Sequence, residues 1–194
     1  MRFRSVAPRY NHICQQSPFG HIIPLSNIAY SGTLAEMPLL KNMIKIRNVK
    51  EKDLTDLLWD KNFKKLKRYE EKNFQSFLDG KLLWLVASED KPIGQIKAKI
   101  ENEAIIFALR VHPKEQGKGI GAKLILEMEK LLKKKGFFEV FISVHVDNPK
   151  AQKLYERLSY QIIKQDVIEE WEYADDNGEI CMMNMNVNRL KKEL

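Results

Sequence analysis

The stretch Gln116-Gly-Lys-Gly-Ile-Gly121 decides the fold of this chain, because it joins an apolar run ending at Val111 to a second run with helical periodicity. Glycines leave backbone N–H groups uncovered and permit positive φ angles. The N-terminus of the following helix adds the positive end of its dipole. The stretch therefore predicts an anion-binding loop, and a glycine-rich helix entry without a ligand is the plain alternative.

The spacing of this loop differs from the two commonest phosphate-binding loops. A P-loop has four residues between its glycines, followed by Lys and Ser or Thr, whereas this loop continues Gly-Ala-Lys. A dinucleotide-binding loop has the order G-x-G-x-x-G and an acidic residue about 20 positions later. The order Gln-x-x-Gly-x-Gly excludes both.

The residues after the loop predict a strand and a capped helix. Val140–His145 is apolar enough for a buried strand. Asp147-Asn148-Pro149 then provides a cap with proline at the first helical position, and Ala151–Leu158 continues as a helix. Within this unit, Asn148 and Tyr155 stand seven residues apart.

The glycine loop and the spacing of Asn148 and Tyr155 together resemble the GNAT superfamily of N-acetyltransferases. Upstream, Trp84-Leu-Val-Ala87 and the turn Glu89-Asp-Lys-Pro-Ile-Gly94 are similar to that family's second and third strands. The resemblance spans Ile44 to Val187. It implies an α/β fold with a mixed, mostly antiparallel sheet, helices on both faces, and splayed parallel central strands that hold acetyl-CoA between them.

Hydrophobic periodicity predicts the remaining elements. A helix from Ile120 to Lys135 has one apolar face and ends at Gly136. The strand, loop, helix and strand from Ala104 to His145 form a βαβ unit, so its two strands should be parallel. The other predicted strands are Ile44–Arg47, Leu82–Ser88, Pro92–Ile100, Ala104–Val111, Tyr160–Tyr173 and Glu179–Val187, and the other predicted helices are Asp53–Trp59 and Asn62–Leu78.

Composition limits the class of protein. At 194 residues and 44% hydrophobic content, the chain suits one packed domain. Its two cysteines, Cys14 and Cys181, occur in no disulfide or zinc pattern, so we expect no metal and a reducing, cytoplasmic location. No apolar stretch approaches the roughly 20 residues that span a bilayer, so we expect no membrane partner.

Residues 1–42 differ from the remainder, with few acidic residues, four prolines and no sustained apolar period. We predict an irregular N-terminal extension at 1–42, outside the functional domain at 43–194. Three interpretations stay open: translation that begins at Met43, a flexible extension, or a targeting segment.

The net charge of +7 raises the question of nucleic-acid binding. The basic clusters, such as Lys133-Lys-Lys135, lie on predicted helices whose wet faces explain them equally well. We therefore expect no nucleic-acid partner. The sequence leaves the oligomeric state open, with a homodimer as one alternative.

Attack of an amine on an acetyl thioester requires a base for the amine proton and an acid for the departing thiolate. The family resemblance implies that Tyr155 is the acid, and a core tyrosine is the alternative. Many members that acetylate protein N-termini carry a glutamate where this chain has Ser143. His145, two positions along the strand, and Glu103, at the start of the fourth strand, are both open as the base.

The resemblance also implies the residues that bind acetyl-CoA. Backbone groups of Leu109 and Val111 would pair with the pantetheine arm, and Asn148 would hydrogen-bond it or cap its helix. Lys118 would add positive charge, or face water. The pyrophosphate would be held by the amides of Gln116, Gly117, Lys118, Gly119, Ile120, Gly121 and Ala122.

The resemblance further implies that two segments shape the acceptor pocket, Asp60–Phe77 and Glu169–Gly178. The second is acidic and aromatic, which favours a cationic primary amine such as a peptide N-terminus, a lysine or a polyamine, although a solvated hairpin tip is equally consistent. The sequence thus predicts an N-acetyltransferase. The alternative, suggested by Ser143, is an acyl-CoA-binding module without turnover.

Overall fold

The computed structural model describes residues 44–57, 59, 63–175 and 177–194, so the predictions for residues 1–42 lie outside it. This part of the chain begins with a strand and two helices, continues with three consecutive strands, and ends with a hairpin of two strands. None of the helices in these ranges is long and apolar enough to cross a membrane. The strands are β1 Lys45–Asn48, β2 Leu82–Ser88, β3 Pro92–Ile100, β4 Ala104–Val111, β5 Glu139–His145, β6 Gln161–Ala174 and β7 Ile180–Glu193, and the helices are α1 Asp53–Asp56, α2 Phe63–Leu78, α3 Ile120–Lys134 and α4 Pro149–Arg157.

The strands form one sheet in the order β1-β2-β3-β4-β5-β7-β6. Neighbouring strands are antiparallel except β4 and β5, which are parallel because α3 crosses between them. The predicted mixed, mostly antiparallel α/β fold is therefore confirmed.

The parallel strands β4 and β5 separate soon after they meet. They pair only at Ile105 with Phe141 and at Ile106 with Ile142. Beyond that point, two steps along β3 correspond to three steps along β4, and the extra residue in this bulge, Ala108, has a positive φ of 50°. A bulge bends its strand and increases the local twist, so the predicted splay of the central strands follows from it.

Helices cover both faces of the sheet, as predicted. Alternate residues of β2 point to opposite sides, so Leu83 and Leu85 join the core beneath α3 and α4. Trp84 and Val86 join a second core with residues of α1 and α2.

A buried ion pair attaches α2 to the sheet. Glu70 of α2 accepts a hydrogen bond from Lys97 of β3, and both side chains are buried. The Lys97 ammonium also lies 4.0 Å from the centroid of the Trp84 ring and 5.6 Å from that of the Tyr69 ring. Burial lowers the pKa of Lys97 to about 8, while the Glu70 carboxylate favours the charged form. Two aromatic faces and one carboxylate thus replace the water that this ammonium loses.

Two predicted boundaries were wrong. Helix α1 ends at Asp56 instead of Trp59, and Trp59 packs edge-on against the ring of His112. Strand β7 continues to Glu193 instead of ending at Val187, because its last residues pair with β5 as far as Glu139. The polar sequence after Val187 hides this strand, since the pairing depends on a partner that is distant in sequence.

Helix α4 ends in a Schellman motif that packs two tyrosines together. The Tyr160 N–H donates to the Tyr155 carbonyl at 3.1 Å, and the Ser159 N–H donates to the Glu156 carbonyl at 2.9 Å. Ser159 has a φ of 69° at the position where glycine is usual. The rings of Tyr155 and Tyr160 lie 6.0 Å apart.

We predict that Ser159→Gly stabilises the protein. It removes a left-handed strain of about 1–2 kcal/mol and adds about 0.5–1 kcal/mol of chain entropy cost. The expected result is a free energy of unfolding that rises by about 0.5–1 kcal/mol in urea titrations. The reverse change Gly136→Ser, at a φ of 91°, serves as the control and should destabilise by about 1 kcal/mol. A Ser159→Gly variant less stable than the native chain would contradict the strain argument.

Candidate active site

A cleft of about 560 Å³ lies beside the splayed end of β4. Its walls are the last residues of β4, the glycine loop, the first turn of α3 and one side of α4. Of the predicted acetyl-CoA residues, Leu109, Val111, Asn148 and every residue from Gln116 to Ala122 except Lys118 line this cleft. The structure thus brings together residues that are up to 39 positions apart in the sequence.

The glycine loop uses its glycines for backbone conformation. Gly117 and Gly119 have φ angles of 81° and 78°, and a Cβ atom at either position would meet no atom within 4 Å. The requirement for glycine is therefore the left-handed backbone and not a close approach. Gly119 caps α3, and the first hydrogen bond within the helix runs from Lys123 N–H to the Gly119 carbonyl at 3.1 Å.

The amides at the start of α3 are available to an anion. The N–H groups of Ile120, Gly121 and Ala122 precede the first intrahelical bond, so the helix does not use them. All three residues line the cleft. The helix dipole adds partial positive charge at the same place, which favours a phosphate group there.

Gln116 holds the loop against β4. Its Nε2 donates to the carbonyl of Val111 at 3.1 Å. This contact fixes the distance between the strand that ends at Val111 and the loop that begins at Gln116. The sequence analysis assigned only the backbone of Gln116 to the site and missed this function of its side chain.

Lys118 lies outside the cleft lining, unlike its neighbours. Its ammonium pairs with Glu115 at 2.8 Å, and its side chain is 57% exposed. Positive charge in the cleft comes instead from Lys150 and Arg157 of α4, which line it together with Leu154. Lys150, Leu154 and Arg157 stand at i, i+4 and i+7, the spacing of one helix face. This spacing is visible in the sequence and could have predicted that they share the cleft.

Asn148 performs the capping function that was one of its two predicted alternatives. Its Oδ1 accepts a hydrogen bond from the Ala151 N–H at 3.1 Å. The side chain also lines the cleft. The cap uses only the Oδ1 atom of Asn148, so the Nδ2 group can still donate hydrogen bonds elsewhere.

Tyr155 is outside the cleft lining and buried in the core, with 7% of its surface exposed. Burial raises the pKa of its hydroxyl to about 12, so the group stays protonated at neutral pH. The hydroxyl makes no hydrogen bond to any residue that the structure describes. The ring packs in the same core as α3, with Tyr160 beside it.

The two candidate bases have different surroundings. His145 Nδ1 accepts the Asp147 N–H at 3.2 Å, so a neutral ring carries its proton on Nε2. Glu103 accepts a hydrogen bond from Arg189 at 2.6 Å, and its side chain is 42% exposed. In a neutral ring, Nε2 of His145 is therefore a hydrogen-bond donor. Glu103, by contrast, retains carboxylate lone pairs that can accept a proton.

Arg189 is a residue that the sequence analysis missed, because β7 was predicted to end before it. It pairs in register with Ser143, and its guanidinium lies 4.9 Å from the centroid of the Phe141 ring. It contacts Glu103 at 2.6 Å and Glu169 at 3.6 Å. A cation thus stands opposite Ser143 and joins two carboxylates.

Cations pair with two acidic side chains of the predicted acceptor segment, Glu169 and Glu172, and with Glu179 directly after it. Lys72 and Arg68 of α2 pair with Glu172 at 2.9 Å and Glu179 at 2.5 Å. Glu169 and Glu170 are adjacent on β6 and therefore point to opposite faces of the hairpin. Glu169 contacts Arg189, whereas Glu170 is exposed.

Comparison with known proteins identifies the family. The model of the acetyltransferase (GNAT) family matches residues 51–160, which include β2 to β5, the glycine loop and α4. The chain belongs to the GNAT acetyltransferase family. The predicted resemblance to this family is therefore confirmed.

A curated relative and two solved structures show what this family member is similar to. Over 90 residues, the chain is 38% identical to a spermidine N(1)-acetyltransferase of Thermoplasma acidophilum. The match covers 45% of this chain and 55% of the relative, so the chain spans about half the length of the curated relative it matches.

The solved structures show the fold. The PaiA N-acetyltransferase of Thermoplasma acidophilum in complex with coenzyme A has a TM-score of 0.58 at 22% identity, covering 79% of this chain and all of that one. The spermidine N-acetyltransferase of Vibrio cholerae in complex with CoA and spermine has a TM-score of 0.58 at 20% identity, covering 77% and 95%. The location of the protein, its oligomeric state and the domain boundary at residue 43 stay predictions.

We predict that Arg157→Gln and Lys150→Gln weaken the binding of CoA by about fivefold to tenfold each. Each variant removes a cleft cation that can pair with a phosphate, a contact worth about 1–1.5 kcal/mol at an exposed site. Calorimetric titration with CoA and with 3′-dephospho-CoA measures the loss and identifies the phosphate. Lys153→Gln, on the same helix but outside the cleft lining, is the matched control. Equal affinities for all three variants would contradict this placement of the phosphates.

Proposed function

We propose that this chain transfers the acetyl group of acetyl-CoA to a primary amine of a cationic acceptor by direct attack. The observation that carries the proposal is the cleft between the glycine loop, α4 and the end of β4 that has left β5. Membership in the acetyltransferase (GNAT) family supports the reaction class.

The cleft residues fit acetyl-CoA on two counts. Strand β4 has no pairing with β5 beyond Ile106, so the backbone at Leu109 and Val111 can pair with the amides of a pantetheine arm, as an added strand would. The uncommitted amides from Ile120 to Ala122 suit a pyrophosphate. Acetyl-CoA supplies the thioester carbon that is attacked and the thiolate that leaves.

The reaction requires two proton movements. The amine loses a proton to a base, its nitrogen bonds to the carbonyl carbon, and the carbon–sulfur bond breaks. The sulfur then receives a proton. Tyr155 is the proposed donor, because its buried hydroxyl stays protonated at neutral pH and has no hydrogen bond to a described residue that would hold it elsewhere.

Glu103 is a better candidate than His145 for the base. The contact with Asp147 directs the proton of a neutral His145 ring to Nε2, so that nitrogen cannot accept one. The Glu103 carboxylate has oxygen lone pairs that can accept a proton, and a water molecule can connect it to the amine. Arg189 would keep this carboxylate in a fixed orientation.

A polyamine-like acceptor is the proposed class. Glu103 and Glu169 share one cation, Arg189, so this cluster keeps a net negative charge that suits an ammonium group. The other ion pairs of the hairpin are balanced. The similarity to a spermidine N(1)-acetyltransferase supports the same class.

We predict that Tyr155→Phe lowers kcat by about 10²-fold, the usual size of a general acid contribution, and leaves the KM for acetyl-CoA nearly unchanged. Thiol release by the full chain with spermidine, a lysine peptide and a free N-terminal peptide measures it. Tyr173→Phe, on an exposed part of β6, is the control. If acetyl-CoA raises the melting temperature but no amine causes thiol release, the chain is an acyl-CoA-binding module and the proposed transfer is wrong.

We predict that Glu169→Gln raises the KM for spermidine about tenfold, which corresponds to the loss of about 1.4 kcal/mol from one charged contact. Glu170→Gln should change it less than twofold, because that neighbour points to the opposite face of β6. Steady-state kinetics at low and high salt separate a direct contact from general attraction. Similar effects of both variants would refute a specific ammonium site at Glu169.

A further inference from the structure

A buried polar cluster lies next to Tyr155 and has no part in the reaction described above. Glu129 of α3 is 8% exposed, and its Oε2 accepts a hydrogen bond from Lys192 of β7 at 2.7 Å. Its Oε1 is buried and has no partner among the described residues. The hydroxyl of Tyr160 is buried and equally without a partner there.

The two unpartnered atoms complement each other. Burial and then the nearby Glu129 carboxylate raise the pKa of the Tyr160 hydroxyl, so it is a donor at every physiological pH, whereas Glu129 Oε1 is an acceptor. The Lys192 ammonium pairs with the Glu129 carboxylate at 2.7 Å and also lies 5.5 Å from the centroid of the Tyr160 ring, so Glu129 and Tyr160 lie close together. No hydrogen bond joins the two atoms in the structure, but buried donors and acceptors almost always have partners in folded proteins, and a rotation of either side chain that joins them would satisfy both.

Tyr160 also controls the surroundings of Tyr155. Its N–H closes the Schellman motif on the Tyr155 carbonyl, and its ring packs 6.0 Å from the Tyr155 ring. A contact that fixes the Tyr160 hydroxyl therefore fixes the wall against which the Tyr155 ring rests.

We propose that Tyr160 and Glu129 are positioning residues for Tyr155: the Tyr160 hydroxyl donates to Glu129 Oε1, and this contact holds the Tyr155 ring in the orientation that proton donation requires. The proposal rests on the proposed function of Tyr155. Geometry in an active site affects chemistry more than binding, so the loss of the contact should appear in kcat and not in KM.

The test uses Tyr160→Phe, which keeps the ring, and Glu129→Met, which keeps most of the volume. We expect each variant to lower kcat about tenfold with both KM values within twofold of the native chain. The double variant should be no worse than either single variant, because both remove the same contact. Glu129→Gln retains an acceptor oxygen and should recover most of the lost kcat. Tyr173→Phe is the matched control.

A second measurement does not depend on turnover. In protein with labelled tyrosines, NMR line shapes report the flip rate of the Tyr155 ring, and we expect faster flipping in Tyr160→Phe and Glu129→Met. Native kcat and native flip rates in both variants, even with a lower melting temperature, would overturn the proposal and leave the cluster a structural role. An inactive native chain would refute the proposed function, and the flip rates would still decide whether the two residues hold the ring.

Discussion

The separation of β4 from β5 is the constraint on which the rest of the site depends. Parallel strands normally share hydrogen bonds along their whole length, but here the pairing ends after Ile106 and Ile142. The bulge at Ala108 turns β4 away, and backbone polar groups of β4 lose the partner that a neighbouring strand would supply. Such groups require a partner, so a ligand with amides can take the place of the missing strand.

The alternation of side chains divides the site between the two faces of the sheet. On β4, Leu109 and Val111 point into the cleft, whereas Arg110 lies 4.0 Å from Glu70 of α2 on the other face. On β5, Ile142 joins the core beneath α3, and Ser143 lies opposite Arg189. The cleft proposed for acetyl-CoA and the acidic cluster around Arg189 can thus occupy opposite faces of the sheet. They can meet at the gap between β4 and β5.

Local signals made much of this fold predictable from the sequence. Three of these signals depend only on residues close together in the chain: glycines with positive φ, proline at the first position of α4, and the apolar face of α3. They therefore specify the loop and both helices directly. The last six residues of β7 were not predictable in this way, because their pairing with β5 depends on a distant strand. Arg189 was missed for that reason. For Lys118 the sequence left phosphate binding and exposure to water both open, and its side chain lies outside the cleft lining.

The sequence by itself determined the family, the order of the elements and most of the residues that line the cleft, because a short loop and a helix cap carry their geometry in their own residues. Only the tertiary structure decided which charges meet. Arg189 stands beside Glu103 and Glu169, and Lys192 of β7 pairs with Glu129 of α3, because the fold brings distant segments together. Side-chain pairing across a sheet depends on register, and no local pattern specifies the register of strands that are far apart in the chain.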